Sequence, residues 1–128
     1  MCKLVSMDTN FGTKIDVADI KKKYIENIIS SAAGCDKIDS IILFGSALEE
    51  RCKNTSDIDI AIISTVTRSR LFASATYKEF TNRVYDLEKE QDYDILQFNS
   101  KQALEKKKDF VCQEILNKGQ IIYKRQVS

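Results

Sequence analysis

Leu43-Phe44-Gly45-Ser46, a gap of ten residues, and then Asp57-Ile58-Asp59-Ile60-Ala61-Ile62 is the stretch that decides the fold of this 128-residue chain. Ile38 to Phe44 is a short, largely apolar run halted by Gly-Ser, which reads as a buried strand ending in a turn. The next strand runs from Asp57 to about Ser64, with Asp57, Asp59 and Ala61 on one face and Ile58, Ile60 and Ile62 on the other. Two carboxylates so spaced lie about 6 Å apart, and at an effective dielectric near 20 they repel by about 3 kcal/mol. A cation between them removes that cost. Mg²⁺ suits the task, because it takes a few carboxylates and completes its shell with phosphate and water. The plainer reading is a pair of solvated acids on a half-exposed strand.

The turn adds weight to the first reading. Gly45 lets backbone approach a ligand closely, and Ser46 offers a hydroxyl at the head of a Ser-x-x-Glu pattern with Glu49. Ser46 caps a helical turn on one reading and helps hold a phosphate on the other, and the two are compatible.

Outward from this stretch, residues 1–15 show weak periodicity and read as a loosely held arm, which leaves residues 16–128 as a single domain. Val17, Ile20, Tyr24, Ile28 and Ala32 recur at helical spacing between Asp16 and Gly34, so a helix is expected there. A second helix follows from Ala73, Tyr77, Phe80, Val84 and Leu87. Tyr93 to Phe98 reads as a third strand. A third helix is expected from Ser100 to Gly119, then a short strand from Ile121 to Tyr123. The expected fold class is α/β in the α+β sense: a small mixed sheet of about four strands flanked by about three helices.

Composition narrows the function. Lys plus Arg number 20 against 19 Asp plus Glu, so no global field favours a long nucleic acid. There is no His, which removes imidazole chemistry, and Cys2, Cys35, Cys52 and Cys112 form no Cys-x-x-Cys pair, which points to reduced thiols in a cytoplasmic protein. No apolar run is long enough to cross a bilayer. Lys21-Lys22-Lys23 and Lys106-Lys107-Lys108 read as solvated helix faces. Tyr77, Phe80 and Tyr85 read as core or interface residues.

Phe44-Gly45-Ser46 followed by Ser56-Asp57-Ile58-Asp59 resembles the signature of the DNA polymerase beta-like nucleotidyltransferase superfamily, in particular its minimal proteins. Tyr93-Asp94-Ile95-Leu96 is similar to that family's third acidic strand, and Glu114 through Gly119 to Tyr123 to its closing helix and strand. Asp94 is preferred over Asp92 because apolar Ile95-Leu96 follows it directly. The resemblance implies the nucleotidyltransferase fold, with Asp57, Asp59 and Asp94 as catalytic residues and ligands of two Mg²⁺ ions. It further implies a nucleoside triphosphate, ATP foremost, contacted by Gly45 and Ser46, and transfer of its monophosphate to a hydroxyl on a protein or small molecule. Minimal members are often antitoxins of HEPN-domain toxins, so a small helical HEPN-type protein is an implied partner, with a tyrosine on it as one acceptor.

The chain departs from that pattern after the turn. Many members carry Arg soon after Gly-Ser, whereas this chain has Ala47-Leu48-Glu49-Glu50. Arg51 and Lys53 are the candidates to reach back to the triphosphate, or they pair with the two glutamates; Arg68 and Arg70 are alternatives. The competing expectation is a binding module, weak or inactive in catalysis, that neutralises a HEPN-type toxin by contact. Aminoglycoside modification fits less well, since no second domain is evident.

Overall fold

The computed structural model describes residues 2–126. It opens on a hairpin, β1 (Leu4–Asp8) antiparallel to β2 (Lys14–Ala18), with Met7 opposite Ile15. The loosely held arm and the helix from Asp16 are therefore corrected. Met7, Ile15 and Val17 are buried in the main core, and Gly12, at φ +85°, makes the turn. Helix α1 (Lys22–Ala32) begins only after a 3-10 turn at Asp19–Lys21. The apolar residues at 17, 20 and 24 suited a helix equally well, and long-range pairing overrode that period.

Strand β3 (Ile38–Phe44) and β4 (Ile58–Ser64) follow the sequence expectation and pair antiparallel, with Phe44 opposite Asp59. Between them lies a single 3-10 turn, Gly45–Leu48. One expected helix is split and one is preceded by an extra helix. The second expected helix is α3 (Ala75–Asp86), begun by the Ser74 hydroxyl, which accepts from the Tyr77 N–H, and a short unexpected helix, α2 (Arg68–Ala73), precedes it. The third becomes α4 (Lys101–Lys106) and α5 (Phe110–Lys118), with Asp109 capping the Cys112 N–H.

β5 (Tyr93–Phe98) runs parallel to β4, and β6 (Gln120–Lys124) closes the sheet in the order β5-β4-β3-β6. This is the expected small mixed sheet. Ile58, Ile60 and Ile62 face a core built with α1, α3 and the hairpin. Ala61 and Ile63 face the opposite core under α4 and α5. Asp59 shares that second face, at the end of β4 where the apolar lining stops. The sheet is thus buried on both faces along its middle and open at the end that carries the acids.

Candidate active site

Two of the acids lie on strands and the third immediately precedes one. Asp57 lies just before β4 and is exposed, while Asp59 lies within β4 and is half-buried. Asp94, on β5 and exposed, is the register partner of Asp59. Parallel partners point the same way from strands about 4.8 Å apart, so the two carboxylates stand side by side. Burial first, then the charges of Asp94 and Asp57, lift the Asp59 carboxyl from 3.8 to about 6. Asp92 is not among those causes, so the acid beside Asp59 is Asp94. Among the described residues, no lysine or arginine pairs with any of these three aspartates.

The Gly45 turn sits directly against Asp59. Gly45 has φ +80°, and a Cβ there would lie 2.2 Å from Asp59 Oδ2. The turn and the carboxylate therefore share a contact that only glycine allows. Ser46 is half-buried and makes no cap bond; its hydroxyl lies 4.0 Å from Cys52 Sγ. The capping expectation for Ser46 gives way, and its hydroxyl stays weakly engaged.

The cations fare less well. Arg51 is ion-paired with Glu49, so its guanidinium is already engaged. Lys53 is exposed, with its backbone N–H bonded to Ser56 Oγ. Arg68 and Arg70 lie on α2, past the far end of β4, and Arg68 lines a cleft with Ile95 and Leu96 of β5. Arg68 instead packs over the Phe72 ring at 5.5 Å. The structure sets Asp59 beside Asp94 and against Gly45, with Asp57 near enough for its charge to act on Asp59.

The donor set is all oxygen, close-set and lacking a protein cation, which fits a hard divalent ion. Asp59 and Asp94 are the adjacent pair, and among the described residues no three His, Cys, Asp or Glu side chains are arranged to hold a metal ion by themselves. Mg²⁺ tolerates that, since phosphate and water complete its shell.

Sequence reasoning missed two residues beside the site. Lys21, expected on a solvated face, is 1 % exposed, and Gln91 is 4 % exposed. The signal was present: Lys21 falls on the same helical stripe as Val17, Tyr24 and Ile28, where a charge is out of place.

Comparison with known proteins follows the same lines. The profile of a family described as Polymerase beta, Nucleotidyltransferase matches residues 26–128. No curated protein matches the chain in sequence. Among solved structures, a crystal structure of the toxin-antitoxin MntA-HpeT, in mutant form, is similar at TM-score 0.54 and 20% identity, covering 80% of this chain and 74% of that one. At that identity the likeness bears on the fold, which is a nucleotidyltransferase fold.

Proposed function

The chain belongs to the Polymerase beta, Nucleotidyltransferase family, and from that premise we propose that it transfers a nucleoside monophosphate from a triphosphate, ATP foremost, to a hydroxyl on a protein or small molecule. Asp57, Asp59 and Asp94 would hold two Mg²⁺ ions. The observation that carries this reading is the β4–β5 register, with Asp59 beside Asp94 and against the Gly45 turn.

When bound, the metal offsets the negative charge that builds on the transferring phosphoryl group and on the departing pyrophosphate. The chain's own part is alignment. Asp57 and Asp59 orient the triphosphate, while the Gly45 backbone and the Ser46 hydroxyl hold its β and γ phosphates. Asp94, on the solvent side, takes the proton of the acceptor hydroxyl as that oxygen bonds to the α-phosphorus. The bond between the α-phosphorus and its bridging oxygen breaks, and pyrophosphate leaves with the electron pair. No covalent enzyme intermediate is needed.

The likeness to a toxin-antitoxin structure favours an antitoxin role with a toxin partner, and we infer that this partner is of the small helical HEPN type, with a hydroxyl on it as one acceptor. A second reading has its own observation. The Arg51–Glu49 pair leaves the triphosphate side of the turn short of a free cation, as in a module that acts by contact with catalysis weak or lost.

The two readings separate in one experiment. Purified protein is incubated with Mg²⁺, cell lysate and each α-labelled triphosphate in turn. The enzyme reading expects label from ATP on a discrete acceptor, lost in Asp57→Asn. Label from no triphosphate, alongside retained binding to a partner, favours the contact module.

A further inference from the structure

We propose that Lys21 is a positioning residue, whose buried ammonium, together with Gln91, ties the segment entering β4 to the segment entering β5 and so sets Asp57 and Asp59 against Asp94. The proposal rests on reading those carboxylates as the metal and triphosphate site.

Lys21 lies at the end of the 3-10 turn that precedes α1, ahead of the family match, which starts at residue 26. A buried ammonium persists only where its donors are satisfied. Here each N–H has an acceptor: Asn54 O at 3.0 Å, Ser56 O at 2.7 Å and Gln91 Oε1 at 2.6 Å. None of these acceptors is a carboxylate, so the side chain neither fills the space between the aspartates nor is consumed by an ion pair. Burial pushes its pKa down, and Cys52 and then Asp57 are the neighbours that chiefly work against that.

Gln91 carries the tie across to the next strand. Its Nε2 donates to Ser56 O at 3.2 Å and to Asp92 O at 2.7 Å. Asp92 O also accepts from the Ile58 N–H at 3.1 Å. Ser56 immediately precedes Asp57, and Asp92 lies two residues before Asp94. One buried network therefore gives two hydrogen bonds to the carbonyl entering β4 and one to the carbonyl entering β5, which also accepts from the β4 backbone. Groups that orient metal ligands from behind commonly matter about 10- to 100-fold to metal affinity.

Removal of this network should loosen the carboxylates with the rest of the sheet intact. The variants are Lys21→Met and Gln91→Met, the second of which keeps the Lys21 bonds to Asn54 and Ser56 and so guards against loss of folding in the first. Ile28→Ala, a core cavity on α1, serves as a control for stability alone. Two readouts are taken at a temperature where circular dichroism shows all variants folded: hydrogen exchange of the metal-free proteins, and calorimetric titration with Mg²⁺ and a non-hydrolysable ATP analogue. Expected are faster exchange at the entrances to β4 and β5, and a Kd weakened about 10- to 100-fold in Lys21→Met. Gln91→Met should weaken in the same direction. Ile28→Ala should lose stability with its Kd unchanged. Wild-type affinity retained in both network variants overturns the proposal and leaves the site reading standing. An equal loss in Ile28→Ala also overturns it, by making the effect one of stability. No binding by the wild type overturns the site reading and this proposal together.

Discussion

Replacing Asp59 with Asn should raise the stability of the metal-free protein at pH 8 by about 1–2 kcal/mol and abolish its response to Mg²⁺ with ATP. Asp59 is half-buried beside Asp94, and its carboxyl stands at about 6 instead of 3.8. A shift of about two pH units corresponds to roughly 3 kcal/mol, and partial solvent exposure reduces that figure. The sign follows from linkage. The folded pKa is raised above the unfolded one, so this group's contribution is fully present below about pH 4 and lost as pH rises through 6. The Asn side chain carries no charge at any pH, so the gain should appear at pH 8 and shrink at pH 5. Ligand binding runs the opposite way, because metal needs the ionised carboxylate, and the wild-type response should fade below pH 6. Melting curves of both proteins at pH 5 and pH 8, with and without Mg²⁺ and ATP, check all of this. A lower melting point for Asp59→Asn at pH 8 would show the carboxylate to be stabilising in the metal-free state, contrary to the account.

Gly45→Ala is the second large effect. Alanine at φ +80° costs about 1–2 kcal/mol in backbone strain alone. Its Cβ would also lie 2.2 Å from Asp59 Oδ2, where ordinary contact begins near 3.4 Å, so the carboxylate must retreat by about 1 Å. A displacement of that size at a reacting centre costs about 100-fold. The expected result is a fold that survives, seen as an unchanged circular dichroism spectrum, with affinity for Mg²⁺ and triphosphate reduced about 10- to 100-fold and the transfer rate by about 100-fold. An alanine variant that binds like the wild type would mean that the turn and Asp59 do not act together.

The sequence carried the sheet further than the helices. β3, β4 and β5 were legible because apolar runs met strong punctuation at Gly45-Ser46 and because Ile58, Ile60 and Ile62 alternate with Asp57 and Asp59. The hairpin was not, since β1 and β2 are short, residues 1–15 show weak periodicity and Val17 also fits the helical period that follows; only pairing across the Gly12 turn fixes them as strands. Asp109 divides a helix whose apolar stripe runs on past the break, a case of local capping overruling periodicity. At the site, Asp59, Asp94 and Gly45 were named from sequence, but Gly45 meets Asp59 through the antiparallel register of β3 and β4, and Asp94 meets it through the parallel register of β4 and β5, which no local pattern encodes. Lys21 was lost for a related reason: its acceptors are main-chain carbonyls and an amide 33 to 70 residues away.

The most direct test of the central claim counts metal. Mn²⁺ in place of Mg²⁺ is titrated into the protein with a non-hydrolysable ATP analogue, and bound ion is read by electron paramagnetic resonance for the wild type and for Asp57→Asn, Asp59→Asn and Asp94→Asn. The account predicts two ions bound by the wild type beyond those held by the analogue alone, and loss of bound ion in each variant. Equal Mn²⁺ uptake by the wild type and all three variants would contradict it.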